Sequence, residues 1–233
     1  ILKDRQESGN ALEFSFMVGI GIALIPCAMV SFVLKERTDS LKHMQMISGM
    51  SLPAYWLSNM IADIIKVYIP LILMILLSVV FGSNYPGVWV CFMVLPWAIV
   101  PFTYCMSFLF SDDTNAQILT LLLHFVVCVI LSTTVYFLQL IPETFVVGDK
   151  LRWWFCIIPT YCMMNAILWS SSGDKIIESR QQNLEKYPQL PTELWAIENL
   201  GGDVLMMVLH FFIDSGILAL IEANAFAPLK KYF

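Results

Sequence analysis

Charged residues are scarce in this sequence, and long hydrophobic runs take their place. Asp, Glu, Lys and Arg make up 13% of the 233 residues, whereas soluble domains contain about 25%. Hydrophobic residues make up 58% of the chain, and the mean hydropathy is +0.74. These values argue against a soluble globular fold. The net charge of −5 and the lack of a basic stripe also argue against a nucleic-acid partner.

The sequence lacks the motifs of several catalytic classes. It contains no G-x-x-x-x-G-K-[S/T] phosphate loop, so we do not expect this chain to bind ATP in the usual way. Residues 200–203 (LGGD) lack the G-x-G-D order of intramembrane aspartyl proteases, and residues 171–173 (SSG) lack the glycine of a G-x-S-G motif. Three scattered histidines are too few for a multi-histidine iron cage. We therefore predict no catalytic residue and no metal site.

The cysteines also show no metal-binding spacing. All six lie in apolar segments, where free cysteine usually behaves as a small buried hydrophobic residue. They are Cys27, Cys91, Cys105, Cys128, Cys156 and Cys162. We predict that they are packing residues.

Five apolar runs are long enough to cross a membrane, because about 18 apolar residues suffice for a hydrocarbon layer of about 30 Å. The predicted spans are residues 12–34, 54–81, 88–110, 116–138 and 204–226. They predict an all-α, polytopic, integral membrane protein built as a helical bundle. The first residue is Ile and residues 1–10 are polar, so we expect a piece of a longer protein that begins at the end of an extracellular or lumenal segment.

A sixth apolar segment, residues 151–171, has a different character. Pro159 lies in its middle, and Trp153, Trp154 and Trp169 lie near its ends. Tryptophan favours the membrane–water interface, and proline interrupts a helix. This pattern favours a re-entrant hairpin over a straight span, although both remain open at this stage. A polar, acidic loop is predicted over residues 171–202.

Residues 35–50, between the first two spans, form a candidate amphipathic helix. Apolar side chains recur at every third position, which gives a helix one apolar stripe. The stripe consists of Leu41, Met44, Ile47 and Met50. We expect the apolar face to contact the bundle and the polar face to meet a partner; an ordinary interfacial helix on lipid headgroups is the alternative.

Polar residues in the first part of the second span are the other candidates for function. Asn59, Asp63 and Lys66 lie close enough to the start of that helix to sit near one membrane interface. This position lowers the free-energy cost of placing polar side chains in a membrane-spanning helix. Asp63 and Lys66 are three residues apart and can pair. An intramembrane ionisable group suggests function, whereas a mutually neutralised pair is the plainer interpretation. For His210 and Asp214, four residues apart in the last span, we expect packing or a local hydrogen bond.

One pattern in this region resembles the ABC transporter subfamily A. It runs K-E-R, four residues, K-H-hydrophobic-Q, S-G, Y-W-x-x-N and an Asp four residues later. The matching residues are Lys35, Glu36, Arg37, Lys42, His43, Gln45, Ser48, Gly49, Tyr55, Trp56, Asn59 and Asp63. Further matches are Pro101, Tyr104 and residues 107–110 (SFLF).

The resemblance implies a type 2 ABC exporter domain and a role for each part. Residues 35–50, with Lys35 to Arg37, Lys42, His43, Gln45, Ser48 and Gly49, would form a cytosolic coupling helix for a nucleotide-binding domain. ATP and Mg²⁺ would bind in that separate domain, and no cofactor in this chain. A second transmembrane half and membrane lipids would be the other partners. The implied function is ATP-driven movement of lipid or another hydrophobic substrate. A passive scramblase or a motor-less scaffold is the alternative.

Overall fold

The computed structural model describes the backbone of residues 2–80, 86–181 and 195–226. Every regular element within these stretches is helical. The α-helices are α1 (Leu2–Thr38), α2 (Leu41–Ile47), α3 (Leu52–Val80), α4 (Pro86–Ser107), α5 (Asp113–Phe125), α6 (Ser132–Leu140), α7 (Phe145–Phe155), α8 (Pro159–Gln181) and α9 (Leu200–Phe226). A π-helical segment, Val126–Leu131, joins α5 to α6. The sequence also predicts a tight turn over residues 82–87; residues 82–85 of it, like Lys230 and Lys231, lie outside the described part of the chain.

Among the described residues, five stretches are long and apolar enough to cross a membrane, which confirms the predicted polytopic all-α fold. They are Glu13–Thr38, Leu52–Val79, Gly87–Ser107, Asp113–Leu140 and Leu200–Ala223. The fourth stretch combines α5, the π-helical segment and α6. The polar start of the chain differs from the prediction, because α1 begins at Leu2 and runs without a break into the first span.

The first half of α8 lies at the centre of the bundle. All side chains from Pro159 to Trp169 are buried, although this segment is not one of the five spans. The helix packs against α1, α4, α6 and α9. A helix that is apolar on every side needs such an enclosed position. By contrast, α3 and α9 keep exposed rows of large hydrophobic side chains, as expected of surfaces that meet lipid.

The segment predicted as a hairpin forms two helices that are longer than expected. Helix α7 begins at Phe145, and the turn between the helices covers residues 156–158. Pro159 is the first residue of α8, where its missing N–H costs nothing. The polar loop predicted at 171–202 is wrong in its first part, because α8 continues to Gln181; residues 182–194 lie outside the described part.

Candidate functional site

The residues of the subfamily A pattern meet where α1 turns into α2. Helix α1 extends through Thr38, so Lys35, Glu36 and Arg37 form its last turn and do not belong to the amphipathic helix. Ser40 adopts a left-handed conformation with φ of 58°, and α2 starts at the next residue. The predicted coupling segment 35–50 is therefore divided between two helices, and α2 itself is only 7 residues long.

Helix α2 ends in a Schellman motif that requires glycine. The amide of Gly49 donates to the carbonyl of Met46, and the amide of Met50 donates to that of Gln45. Gly49 has a φ of 98°, a conformation that a side chain would strain. The Ser48–Gly49 part of the pattern therefore has a local structural reason, since it stops α2 before α3 begins.

Arg37 connects the end of α1 to the end of α4. Its guanidinium donates to the carbonyls of Ser107 and Phe110, at 2.9 Å and 2.6 Å. The same group lies 4.8 Å from the centre of the Phe108 ring. Terminal helix carbonyls carry partial negative charge and favour a cation. Arg37 is thus engaged within the bundle.

The two neighbours of Arg37 reach other helices. Glu36 accepts hydrogen bonds from the Tyr55 hydroxyl at 2.7 Å and from the Asn59 amide at 3.3 Å, both on α3. Lys35 forms an ion pair of 3.1 Å with Asp113 at the start of α5. An acidic side chain also suits the N-terminus of a helix.

Lys42 connects α2 to α9 through an ion pair. Its Nζ lies 2.5 Å from Oε1 of Glu222, and their side chains are only 11% and 3% exposed. The ammonium also faces the rings of Trp56 and Tyr55, with centroids at 4.8 Å and 5.5 Å. Burial lowers the pKa of Lys42 from its ordinary value, and the bond to Glu222 opposes that change. Loss of this lysine would leave Glu222 buried without its counter-charge.

Four charged residues therefore link the α1–α2 junction to four different helices. We call Lys35, Glu36, Arg37 and Lys42 the junction residues; they contact α5, α3, α4 and α9, respectively. In the sequence they fall within one stretch of eight residues. Three of them belong to the last turn of α1, and Lys42 belongs to α2.

The apolar stripe of α2 faces away from the bundle, opposite to the expectation. Met44 and Ile47 are 55% and 73% exposed, and Leu41 and Met50 are exposed as well. The stripe borders a shallow depression of about 540 Å³, which Gln45, Ser48 and Gly49 also line. His43 is exposed, and Gln45 is partly buried. The reason for the reversal is Lys42, whose pairing with Glu222 turns the other side of α2 inward.

The predicted pair of Asp63 and Lys66 is present on α3. Lys66 Nζ lies 2.9 Å from Asp63 Oδ1, and the Tyr104 hydroxyl donates to Oδ2 at 2.5 Å. The side chain of Asp63 is 6% exposed, but that of Lys66 is 59% exposed. The pair is therefore asymmetric: the acid is inside the bundle, and the lysine reaches its surface over the Phe32 ring.

A buried polar network at the opposite end was not predicted. Arg152 on α7 pairs with Asp203 on α9 at 2.9 Å, and Asn165 on α8 donates to the same carboxylate at 2.8 Å. Arg152 also donates to the carbonyls of Glu198 and Asn199. These contacts fix the hairpin to the start of α9. Local sequence gave no signal, because the partners are 51 and 38 residues away from Asp203.

The contacts of His210 and of the cysteines indicate mostly structural roles. His210 contacts Asp214 at 3.0 Å, which confirms the expected local hydrogen bond, and its other nitrogen contacts the carbonyl of Cys156. The cysteines of the described part are all free. Cys156, Cys162 and Asp203 have ligand-type atoms within 4.8 Å of one another, a grouping that spacing did not indicate. Arg152 already forms an ion pair with Asp203, and the positive charge of Arg152 disfavours a metal ion at this position.

Comparison with known proteins identifies a family of membrane transporters. A family model described as "ABC-2 family transporter protein" matches residues 3–221. ATP-binding cassette sub-family A member 2 of Rattus norvegicus is 24% identical over 180 residues, covering 73% of this chain and 7% of the relative. Phospholipid-transporting ATPase ABCA7 of Homo sapiens is 22% identical over 205 residues, covering 84% and 9%.

A third relative matches over more of its length. ATP-binding cassette sub-family A member 17 of Rattus norvegicus is 25% identical over 253 aligned positions, covering 95% of this chain and 14% of the relative. The chain thus spans 14% or less of each of these three proteins. The family match covers nearly the whole chain and confirms the resemblance to subfamily A, and the five membrane-crossing stretches agree with a membrane transport role. The chain belongs to the ABC-2 transporter family.

Proposed function

We propose that this chain is the transmembrane part of an ATP-driven ABC subfamily A transporter that moves lipid or another hydrophobic substrate across or out of a membrane. A separate nucleotide-binding domain would supply ATP hydrolysis, with ATP and Mg²⁺ bound there. The chain has no phosphate-loop motif of its own, so its contribution is mechanical. A second transmembrane half would complete the transporter.

The junction residues carry this proposal. A motor domain that pushes on α2 needs a stiff connection to the spans. Arg37 and Lys42 provide it through charge-assisted hydrogen bonds, which are shorter and stronger than neutral ones. Lys42 connects α2 to α9, and the end of α1, which leads directly into α2, contacts α3, α4 and α5. A push on α2 and the adjoining end of α1 would therefore act on several spans together. An amphipathic helix that only rested on lipid would not need these contacts.

The outward stripe of α2 is the surface that we assign to the motor domain. Leu41, Met44 and Ile47 are exposed next to a shallow depression, and polar Ser48 and Gly49 border it. Apolar side chains surrounded by polar ones are typical of protein contact sites. We place this end of the bundle in the cytosol, where an ATPase domain resides.

Lipid is the substrate class that the surface of the bundle favours. Helices α3 and α9 carry exposed rows of Ile, Leu, Val and Phe, including Ile65, Ile69 and Phe212. The buried acids Asp63 on α3 and Asp203 on α9 are each paired with a cation within the bundle. One of the relatives supports this class by name, since it is called a phospholipid-transporting ATPase.

The experiment is a substitution in the stripe, made in the intact protein. Ile47 is 73% exposed, so Ile47→Asp leaves the bundle unaffected and places a charge on the proposed contact. We expect ATP-driven lipid movement to fall about tenfold, which corresponds to about 1.4 kcal/mol at the contact. Ile47→Leu keeps the apolar surface and is the matched control.

Both variants are reconstituted in liposomes, and lipid movement and ATP hydrolysis are measured together. Loss of transport in Ile47→Asp with normal folding and a normal Ile47→Leu supports the assignment. Equal transport by Ile47→Asp and the unsubstituted protein would mean that α2 does not contact the motor through this stripe.

A further inference from the structure

One ionisable pair lies inside the membrane-crossing part of α9, next to the turn of the hairpin. The side chains of His210 and Asp214 are each 9% exposed, and His210 Nδ1 lies 3.0 Å from Asp214 Oδ2. Both residues border a largely apolar groove of about 540 Å³ between α4 and α9. The second ring nitrogen, Nε2, lies 2.9 Å from the carbonyl oxygen of Cys156, at the C-terminal end of α7. His210 therefore connects α9 to the hairpin.

These two contacts determine how many protons the pair holds. A carbonyl oxygen can only accept, so Nε2 of His210 must carry a hydrogen. Neutral imidazole has a single N–H, which leaves Nδ1 with a lone pair directed at the carboxylate of Asp214. Two acceptors 3.0 Å apart repel each other unless a proton lies between them. The geometry therefore requires one further proton, either on the imidazole or on the carboxyl group.

On the side of α4 and α5, no other group supplies a proton to the carboxylate of Asp214. The Cys105 thiol donates to the backbone carbonyl of this residue, at 3.2 Å. The ring of Phe102 stands edge-on to the imidazole, with the ring centres 6.1 Å apart. His124 on α5 contacts the same ring, but its Nδ1 is bonded to the Thr160 hydroxyl.

On the side of the hairpin, the ionisable groups are engaged with another acid. Arg152 pairs with Asp203 at 2.9 Å, and the thiol of Cys156 contacts the same carboxylate at 3.6 Å. Among the described residues, His210 is thus the one cation-forming side chain in contact with Asp214. A buried carboxylate without a counter-charge is costly, so the proton on this pair matters for the contact between α9 and the hairpin.

We propose that His210 and Asp214 form a proton-binding site, which holds one proton between them at neutral pH and thereby keeps α9 on the hairpin turn. Release of the proton leaves a lone pair facing a buried carboxylate, so the contact between His210 and the Cys156 carbonyl is weakened. The contact is present at low pH and is lost as the pH rises. Proton binding requires neither ATP nor lipid, so it stands apart from the proposed transport function.

The test measures hydrogen exchange of residues 153–161 in the intact protein, without ATP, with labelling times scaled to the intrinsic chemical rate at each pH. A histidine that opening exposes to water has a pKa of about 6.5, so it loses its proton between about pH 6 and about pH 8. We expect the opening constant of the hairpin turn to increase about tenfold or more over this range, because opening at the higher pH releases a proton.

Asp214→Asn separates the proton from the hydrogen bonds. The amide group of asparagine donates to Nδ1 of a neutral imidazole, so both contacts of His210 remain without the additional proton. We expect the opening constants of this variant at the two pH values to differ by less than about twofold. Asp174→Asn, which changes an exposed acid on α8, is the matched control and should keep the full pH dependence.

Size-exclusion chromatography shows whether the variants fold. If Asp214→Asn does not, the double variant His210→Gln with Asp214→Asn replaces it, since that site contains no titrating group and should give the same flat profile. The proposal is overturned if the unsubstituted protein has equal opening constants at the two pH values, or if the folded Asp214 variant keeps the pH dependence of Asp174→Asn.

Discussion

Lys42 on α2 and Glu222 on α9 form an ion pair of 2.5 Å between residues 180 positions apart in the chain. It joins the short helix α2 to the last membrane-crossing stretch. Both side chains are nearly enclosed, so the pair is part of the bundle and not a surface salt bridge. Breaking such a pair is costly because it leaves one charge buried and uncompensated.

The first prediction concerns this pair. Lys42→Met should destabilise the intact protein by about 3–5 kcal/mol, since Glu222 remains buried without its partner. The double variant Lys42→Met with Glu222→Gln should recover most of that loss, because no charge is left unpaired. Thermal unfolding in detergent compares the variants. Equal losses of stability in the single and double variants would show that Lys42 and Glu222 are not energetically coupled.

The second prediction concerns Arg37. Arg37→Glu places a carboxylate next to the carbonyls of Ser107 and Phe110, so repulsion replaces two hydrogen bonds. We expect ATP hydrolysis to continue while lipid movement is lost, because the end of α1 no longer holds α4. Arg37→Lys keeps the charge but not the fork of two donors, and it should retain part of the transport. Unchanged transport by Arg37→Glu would rule out this role.

The third prediction follows from the asymmetry of the Asp63 pair. Lys66→Met leaves a buried carboxylate with only the Tyr104 hydroxyl, whereas Asp63→Asn leaves a lysine that already reaches the surface. Lys66→Met should therefore be the more damaging single change, by about 1 kcal/mol after allowance for the exposure of Lys66. The double variant should be milder than Lys66→Met.

The midpoints of thermal unfolding of Lys66→Met, Asp63→Asn and the double variant, measured in the same detergent, test this order of stabilities. From the sequence alone we would expect the loss of Asp63 to be worse than the loss of both residues. Equal effects of Lys66→Met and Asp63→Asn would mean that burial of the acid does not control the pair.

The fourth prediction concerns the hairpin. Asp203→Asn should loosen α7 from α9, because Arg152 loses the carboxylate that balances its buried charge. Hydrogen exchange of residues 145–158 should accelerate, whereas that of α2 should not change. Asp174→Asn, which changes an exposed acid on α8, is the control. Unchanged exchange in Asp203→Asn would show that the carbonyl contacts of Arg152 suffice.

The five spans could be predicted from the sequence because hydrophobic length is a local property. The helical pair of Asp63 and Lys66 was predictable for the same reason, since a spacing of three residues fixes their proximity. The subfamily A pattern located the junction residues, but it gave neither their partners nor the orientation of α2. Those depend on contacts with α4 and α9, which are about 70 and 180 residues away.

The hairpin shows a second limit of the sequence. Proline can break a helix or begin one, and at residue 159 it begins one. Arg152 and Asp203 would each be unfavourable inside a bundle alone, and only their pairing makes burial acceptable. A single sequence contains no information on which distant charges meet.

The most direct test of the central claim follows lipid movement by the intact protein in liposomes, using a fluorescent phospholipid and a membrane-impermeant quencher. We predict movement that requires hydrolysable ATP and that stops with a non-hydrolysable analogue. Equal movement with and without ATP would identify a passive scramblase, and no movement under either condition would identify a scaffold. Either result would contradict the account of α2 as the link between an ATPase domain and this bundle.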